Sequence, residues 1–188
     1  CIGATTTYTA NGIVLGGGTG AWSSSNSGVA TVDNAGVVTA QGAGTCDIIF
    51  TITGGCNGPV SAFQSITVTP NSSITSVTGT TPLCIGATTT YTANGVVLSG
   101  GTGAWSSSDV LVATVNPTTG LVTAIGAGTC NIIYTITGGC NGPVSAQQSF
   151  TVNPNSSITS VTGTSPLCIG ATATYTANGI VLSGGTGA

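Results

Sequence analysis

The stretch CIGATTTYTANG opens the chain at Cys1, returns unchanged at Cys84, and returns again from Cys168 as CIGATATYTANG. The intervals are 83 and 84 residues. A period of that length restricts the fold more than any single side chain does, because the chain must be a tandem array of like units. Framed from Asn71 to Pro154, one repeat is complete. Residues 1–70 read as the same repeat without its opening strand, and residues 155–188 as the start of a third, carrying its first two strands. The third differs from residues 71–104 only by Ser165 for Thr81, Ala173 for Thr89 and Ile180 for Val96. The array therefore reads as cut in mid-repeat at both ends, with any export leader expected upstream. The one-residue difference in period falls in a turn, VDNAG (Val32–Gly36) against VNPTTG (Val115–Gly120). Length variation confined to a turn leaves strand register intact.

Within a repeat the pattern is that of strands. Thr, Val, Ile and Tyr dominate, with Gly, Pro and Asn-Gly as punctuation, and no stripe of helical period occurs. In the complete repeat, strands are expected over Ile74–Gly79, Ile85–Ala93, around Trp105, Leu111–Val115, Leu121–Ile125, Thr129–Thr137 and Ala146–Val152. Alternation places Tyr91 on one face of the second, and Cys130, Ile132, Tyr134 and Ile136 on one face of the sixth. Trp22 and Trp105 are the largest apolar side chains and are expected, with Tyr91, Ile132 and Ile136, in the core. Seven short strands in about 84 residues predict an all-β, tandem seven-stranded β-sandwich array.

The chemical inventory excludes much. Lys, Arg and His are absent, and the only acids are Asp33, Asp47 and Asp109. No cationic footprint exists for nucleic acid or anionic lipid. Little equipment exists for general acid–base catalysis, so no enzyme is expected. The acids are not equivalent between repeats, since Asp47 matches Asn131 and Asp33 matches Asn116; they read as solvated surface groups. No cofactor is expected. The Gly-rich GGGTG (Gly16–Gly20) and SGGTG (Ser99–Gly103) lack the lysine and following helix of a phosphate loop. No apolar run approaches the roughly 20 residues of a membrane helix, so no membrane insertion is expected. The seven cysteines occupy three equivalent places: Cys1, Cys84 and Cys168; Cys46 and Cys130; Cys56 and Cys140. No CxxC pair and no His accompanies them, so metal ligation is not expected, and cystines on an exported protein fit better.

From Trp105 the resemblance to a known family becomes specific. Trp105-Ser-Ser-Ser, Val112-Ala-Thr-Val, Gly120-Leu-Val-Thr-Ala and Gly126-Ala-Gly-Thr resemble the bacterial Ig-like group 2 domain, and Trp22, Val29, Gly36 and Gly42 begin the same four marks in the first repeat. The resemblance implies Ig-like sandwiches used in tandem on bacterial surface proteins. The Thr-rich, Cys-containing, near-identical form is similar to giant repeat adhesins of gliding and biofilm-forming bacteria. This chain departs from the family in lacking Lys and Glu and in carrying three cysteines per repeat.

Three cysteines per repeat cannot all pair within it. Cys130 and Cys140 lie at opposite ends of one strand, some 25 Å apart at roughly 3.3 Å per residue, far beyond the ~7 Å a disulfide spans between Cα atoms. Two schemes stand open. In the Ig topology that the resemblance implies, Cys84 and Cys130 share one pole, giving Cys84–Cys130 and its equivalent Cys1–Cys46; against this, alternation turns Cys84 outward and Cys130 inward. The other scheme is an interdomain Cys1–Cys140 bridge, with Cys130 a buried thiol. Cys56, Cys140 and Cys168 are then candidates for pairing outside their own repeat.

These observations predict a non-enzymatic structural shaft of an extracellular bacterial filament or giant surface adhesin. The expected partners are neighbouring repeats of the same chain and identical chains in a filament. An alternative is a repeated module whose Gly-rich and GGCNGPV (Gly138–Val144) loops grip surface glycans. Another is a fibre that self-associates laterally through exposed strand edges.

Overall fold

The computed structural model describes residues 1–183 and Thr186. Residues 184, 185, 187 and 188, the end of the third Gly-rich loop, lie outside the described residues. Among those described the chain is all-β, without a helix. It divides into two compact units. The first is Cys1–Ile74 with Val96–Gly103 and Ile136–Val144; the second is Thr75–Gly95 with Ala104–Thr135 and Ser145–Ala188.

The first repeat carries β1 (Thr5–Thr7), β2 (Thr19–Ser24), β3 (Ala30–Val32), β4 (Val37–Ala40), β5 (Gly44–Thr53) and β6 (Val60–Val68). They form two antiparallel sheets, β1-β4-β3 and β2-β5-β6. Val29, Ala30, Val38, Ala40, Cys46, Ile48 and Val68 make the buried core, with Tyr8, Trp22, Val32 and Ile66 partly buried against it. In β5 the buried Cys46 and Ile48 alternate with the exposed Thr45 and the half-buried Asp47 and Ile49, as one core-facing side of a strand requires. Trp22 lies opposite Phe50 in the β2–β5 ladder, and their rings meet edge to face at 5.0 Å. Phe63, opposite Ile49 in the β5–β6 ladder, is 69% exposed.

The complete repeat carries β7 (Ser76–Thr78), β8 (Leu83–Cys84), β9 (Thr88–Thr90), β10 (Thr92–Asn94), β11 (Thr102–Ser107), β12 (Ala113–Val115), β13 (Leu121–Ala124), β14 (Gly128–Thr137) and β15 (Val144–Asn153). Its sheets are β12-β13-β9, β11-β14-β15-β8 and the pair β10-β7. The expected second strand is divided. β9 pairs with β13, β10 pairs with β7, and Tyr91 between them donates its N–H to Gly120 O at 2.9 Å. The first repeat breaks at the same place, where β1 ends before Tyr8 and Tyr8 N–H donates to Gly36 O at 2.9 Å. The Tyr91 ring lies against Gly79, where an added Cβ would fall inside contact distance of three ring carbons. Tyr91 is 2% exposed, and its ring meets Trp105 and Phe150 edge to face at 6.5 and 6.0 Å. Trp105 in turn meets Tyr134 at 4.9 Å. Val112, Ala113, Val122, Ala124, Ile132, Ile136 and Val152 are also buried.

β8 is an addition to the expected set: Leu83 and Cys84 pair parallel with Val152 and Asn153. The third repeat shows β16 (Ser160–Thr162) paired with β17 (Thr176–Asn178), in the same register that joins β7 to β10. Asn94 and Asn178, the Asn of each Asn-Gly, donate side-chain hydrogen bonds across these pairs to Ser76 and Thr78, and to Ser160 and Thr162.

Candidate functional site

The covalent feature of the chain is built from a tight turn and a hairpin loop. Cys1 begins the turn: Ala4 N–H donates to Cys1 O at 3.2 Å, Gly3 N–H donates to Ala40 O at 2.8 Å, and Gly3 has φ +85°. That φ lies in the left-handed region, which glycine enters without steric cost. Cys140 sits in the loop between β14 and β15, where Gly138, Asn141 and Gly142 have φ of +74°, +81° and +75°.

A disulfide joins Cys1 to Cys140, with Cα atoms 5.2 Å apart and a sequence separation of 139. It therefore ties a residue of the first repeat to a residue of the second. Cys140 is 8% exposed. Its carbonyl accepts a hydrogen bond from Ser72 N–H at 3.0 Å, and its sulfur lies 3.1 Å from Thr69 Oγ1. Ser72, 4% exposed, donates its hydroxyl to Leu98 O at 2.9 Å. A Cβ on Gly139 would strike both Ser72 Oγ and Leu98 O, so the loop closes over Ser72 only with glycine there. Sequence reading missed Thr69 and Ser72. The Asn-Ser-Ser that recurs at Asn71 and Asn155 was the available signal.

The alternative pairings Cys1–Cys46 and Cys84–Cys130 do not form. Cys46 and Cys130 are free and buried, while Cys84, Cys56 and Cys168 are free and exposed. The reason is strand alternation: Cys130 shares the inward face of β14 with Ile132, while Cys84 on β8 faces outward. The two buried sulfurs are 3.7 Å from the hydroxyls of Ser24 and Ser107 respectively. Burial pushes the Cys130 thiol above its ordinary value, with a smaller rise from Asp109, and the Ser107 hydrogen bond opposes both. A neutral buried thiol of this kind is a small apolar side chain in function.

The core residues Tyr91, Trp105, Ile132 and Ile136 are buried. Trp22 is half-buried and lines an open cleft of about 350 Å³ with Tyr8, Phe50 and Phe63. In the complete repeat the matching Tyr91 and Trp105 are covered, with Gly79 against Tyr91, and Gln148 donating to Gly79 O at 3.2 Å. The cleft thus corresponds to the seat of an opening strand. Each acid serves a local backbone or hydroxyl: Asp33 accepts from Ala35 and Val37 N–H, Asp109 from Leu111 N–H, and Asp47 from the Ser65 hydroxyl. Among the described residues no group of His, Cys, Asp or Glu is placed to hold a metal ion.

Residues 62–140 match the family model for the bacterial Ig-like domain (group 2), and residues 4–54 match that for the intimin immunoglobulin-like domain. No curated protein matches the chain. Solved structures similar to it include human protocadherin-24 EC1-2, at 14% identity over 82% of this chain and 90% of that one, with a TM-score of 0.49. A C-terminal 282-residue fragment of intimin, in complex with the intimin-binding domain of the translocated intimin receptor, is 15% identical over 82% of this chain and 58% of that one, with a TM-score of 0.42. Domains 1–6 of the surface layer protein SbsC are 18% identical over 89% of this chain, with a TM-score of 0.29. The chain spans 29% of that SbsC structure.

Proposed function

We propose that this chain, which carries bacterial Ig-like domain sequence, is a structural shaft segment of an extracellular bacterial filament or giant surface adhesin. In this reading residues 1–70, 71–154 and 155–188 belong to successive seven-stranded Ig-like modules, and the array supplies length. The observation that supports it most is the Cys1–Cys140 bond. A bond from one repeat to the next resists separation of neighbours and limits bending, which a load-bearing shaft needs and an isolated binding module does not. Near-identity of the repeats supports it too, since units that all do the same work need not diverge. The absence of Lys, Arg, His and Glu gives a surface whose contacts salt and pH barely alter. No helix among the described residues is long and apolar enough to cross a membrane.

The aromatic cleft at Trp22 would be the natural place for a glycan. The corresponding surface of the complete repeat is covered by its own chain, so a function common to the repeats does not lie there. Gold-labelled antibody against the chain, applied to intact bacteria that make it, is the direct test. Label strung along thin surface fibres one domain wide is expected. Label confined to permeabilised cells would overturn the shaft reading, and fibres several domains wide would favour lateral association.

A further inference from the structure

We propose that Cys84 and Cys168 are each the turn half, and Cys56 the loop half, of the same bond that joins Cys1 to Cys140, so that every domain of a tandem array is covalently tied to the next. The inference rests on the shaft reading and extends it from one bond to a continuous ladder. The partner is defined by chemistry: an Ig-like domain of the same sequence, presenting a GGCNGPV loop to Cys84 or Cys168, or a CIGA turn to Cys56.

Position alone would be weak, but the local geometry repeats as well. Ala87 N–H donates to Cys84 O at 3.1 Å and Ala171 N–H to Cys168 O at 3.0 Å, as Ala4 does to Cys1 at 3.2 Å. The glycines two residues after each cysteine have φ +85°, +88° and +84°. The loop repeats too: Gly54, Asn57 and Gly58 have φ +75°, +89° and +75°, beside +74°, +81° and +75° for Gly138, Asn141 and Gly142. Both halves therefore hold the bonded conformation before any partner arrives. Such preorganisation removes most of the ordering cost of forming the bond. Exposure separates these thiols from the rest. Cys56, Cys84 and Cys168 are exposed, whereas Cys46 and Cys130 are buried in their cores. The five free cysteines thus fall into two classes, and the exposed class is made up wholly of residues equivalent to the two that are bonded.

The reaction is a two-electron oxidation. A low-molecular-weight disulfide accepts two electrons and two protons, leaving as two thiols, while the two protein thiols become one S–S bond; exchange proceeds through a mixed disulfide on the exposed sulfur.

The test lengthens the full chain by inserting a second copy of residues 71–154 after Pro154, with refolding in oxidised and reduced glutathione. Free thiols are alkylated in denaturant and counted by intact mass. One disulfide is expected in the parent chain and two in the lengthened chain. Cys84→Ser in the lengthened chain should remove the added bond, and Cys130→Ser should keep it. Failure of the lengthened chain to gain a bond, survival of that bond in Cys84→Ser, or between-chain dimers as the sole new product would each overturn the ladder. If the parent chain itself forms no Cys1–Cys140 bond, the shaft reading loses its main support. A parent that forms the bond beside a lengthened chain that gains none defeats the ladder alone.

Discussion

Cys1 and Cys140 are 139 positions apart in sequence, yet their Cα atoms lie 5.2 Å apart and their sulfurs are bonded. A cross-link closing so long a loop removes much of the freedom of the unfolded chain, worth roughly 3–5 kcal/mol in the chain-entropy account. Cys140→Ser should lower stability to denaturant by about that amount. The parent in reductant should fall to the same level, and reductant should leave the variant unchanged. Equal stability of parent and variant under oxidising conditions would show that the bond carries no load.

Gly79 and Gly86 should respond differently to alanine. Gly79 has ordinary backbone angles, but its Cβ would press into the Tyr91 ring. Displacing that ring disturbs Trp105 and Phe150 together, so Gly79→Ala should cost about 2–3 kcal/mol, in the range of overpacked cores. Gly86 faces open space at φ +88°, and Gly86→Ala should cost only the ~1–2 kcal/mol of a left-handed residue. Thermal melts of the two variants should therefore rank Gly79→Ala as the less stable, and the reverse order would refute the packing account of Tyr91.

Stability should fall on the alkaline side. Burial raises the Cys130 thiol above its ordinary 9.0, and burial followed by the nearby Cys130 raises Tyr91 above its ordinary 10.0. A group that holds its proton more tightly when folded gives stability that is complete below its unfolded pKa and lost as pH rises above it. Unfolding free energy should thus decline from about pH 9 upward. Cys130→Ala should flatten the start of that decline, as followed by denaturant titration at stepped pH; an unchanged slope would remove Cys130 from the explanation.

Adding Asn71–Leu83 in front of Cys1 should fill the cleft at Trp22. In the complete repeat the same segment contributes β7 and Gly79 and leaves Trp105 only 7% exposed. In a Trp105→Phe background, Trp22 emission should shift to shorter wavelength and acrylamide quenching should fall. Unaltered emission would mean that the segment does not seat there.

Salt should matter little. With three acids and no cation in 188 residues, there are no ion pairs to screen. Unfolding midpoints should stay nearly constant from low salt to molar sodium chloride, and a large loss on adding salt would contradict this.

Sequence by itself determined the period, the all-β class and most strand positions, because these follow from local chemistry. β-branched residues, alternation and Gly or Asn-Gly punctuation are written in adjacent letters. The inward set Cys130, Ile132 and Ile136 was legible for the same reason. Tertiary structure decided what depends on residues far apart in the chain. The strand breaks at Tyr91 because β9 pairs with β13 and β10 with β7, strands distant in the chain, and nothing in TTTYTAN announces the break. Ser72 is buried because the loop around Gly139 closes over it. Cys140 meets Cys1 because a hairpin loop of one repeat is brought against a turn of another. Spacing allowed two partners for Cys1, and only the fold placed one of them within 5.2 Å while turning Cys46 into the core.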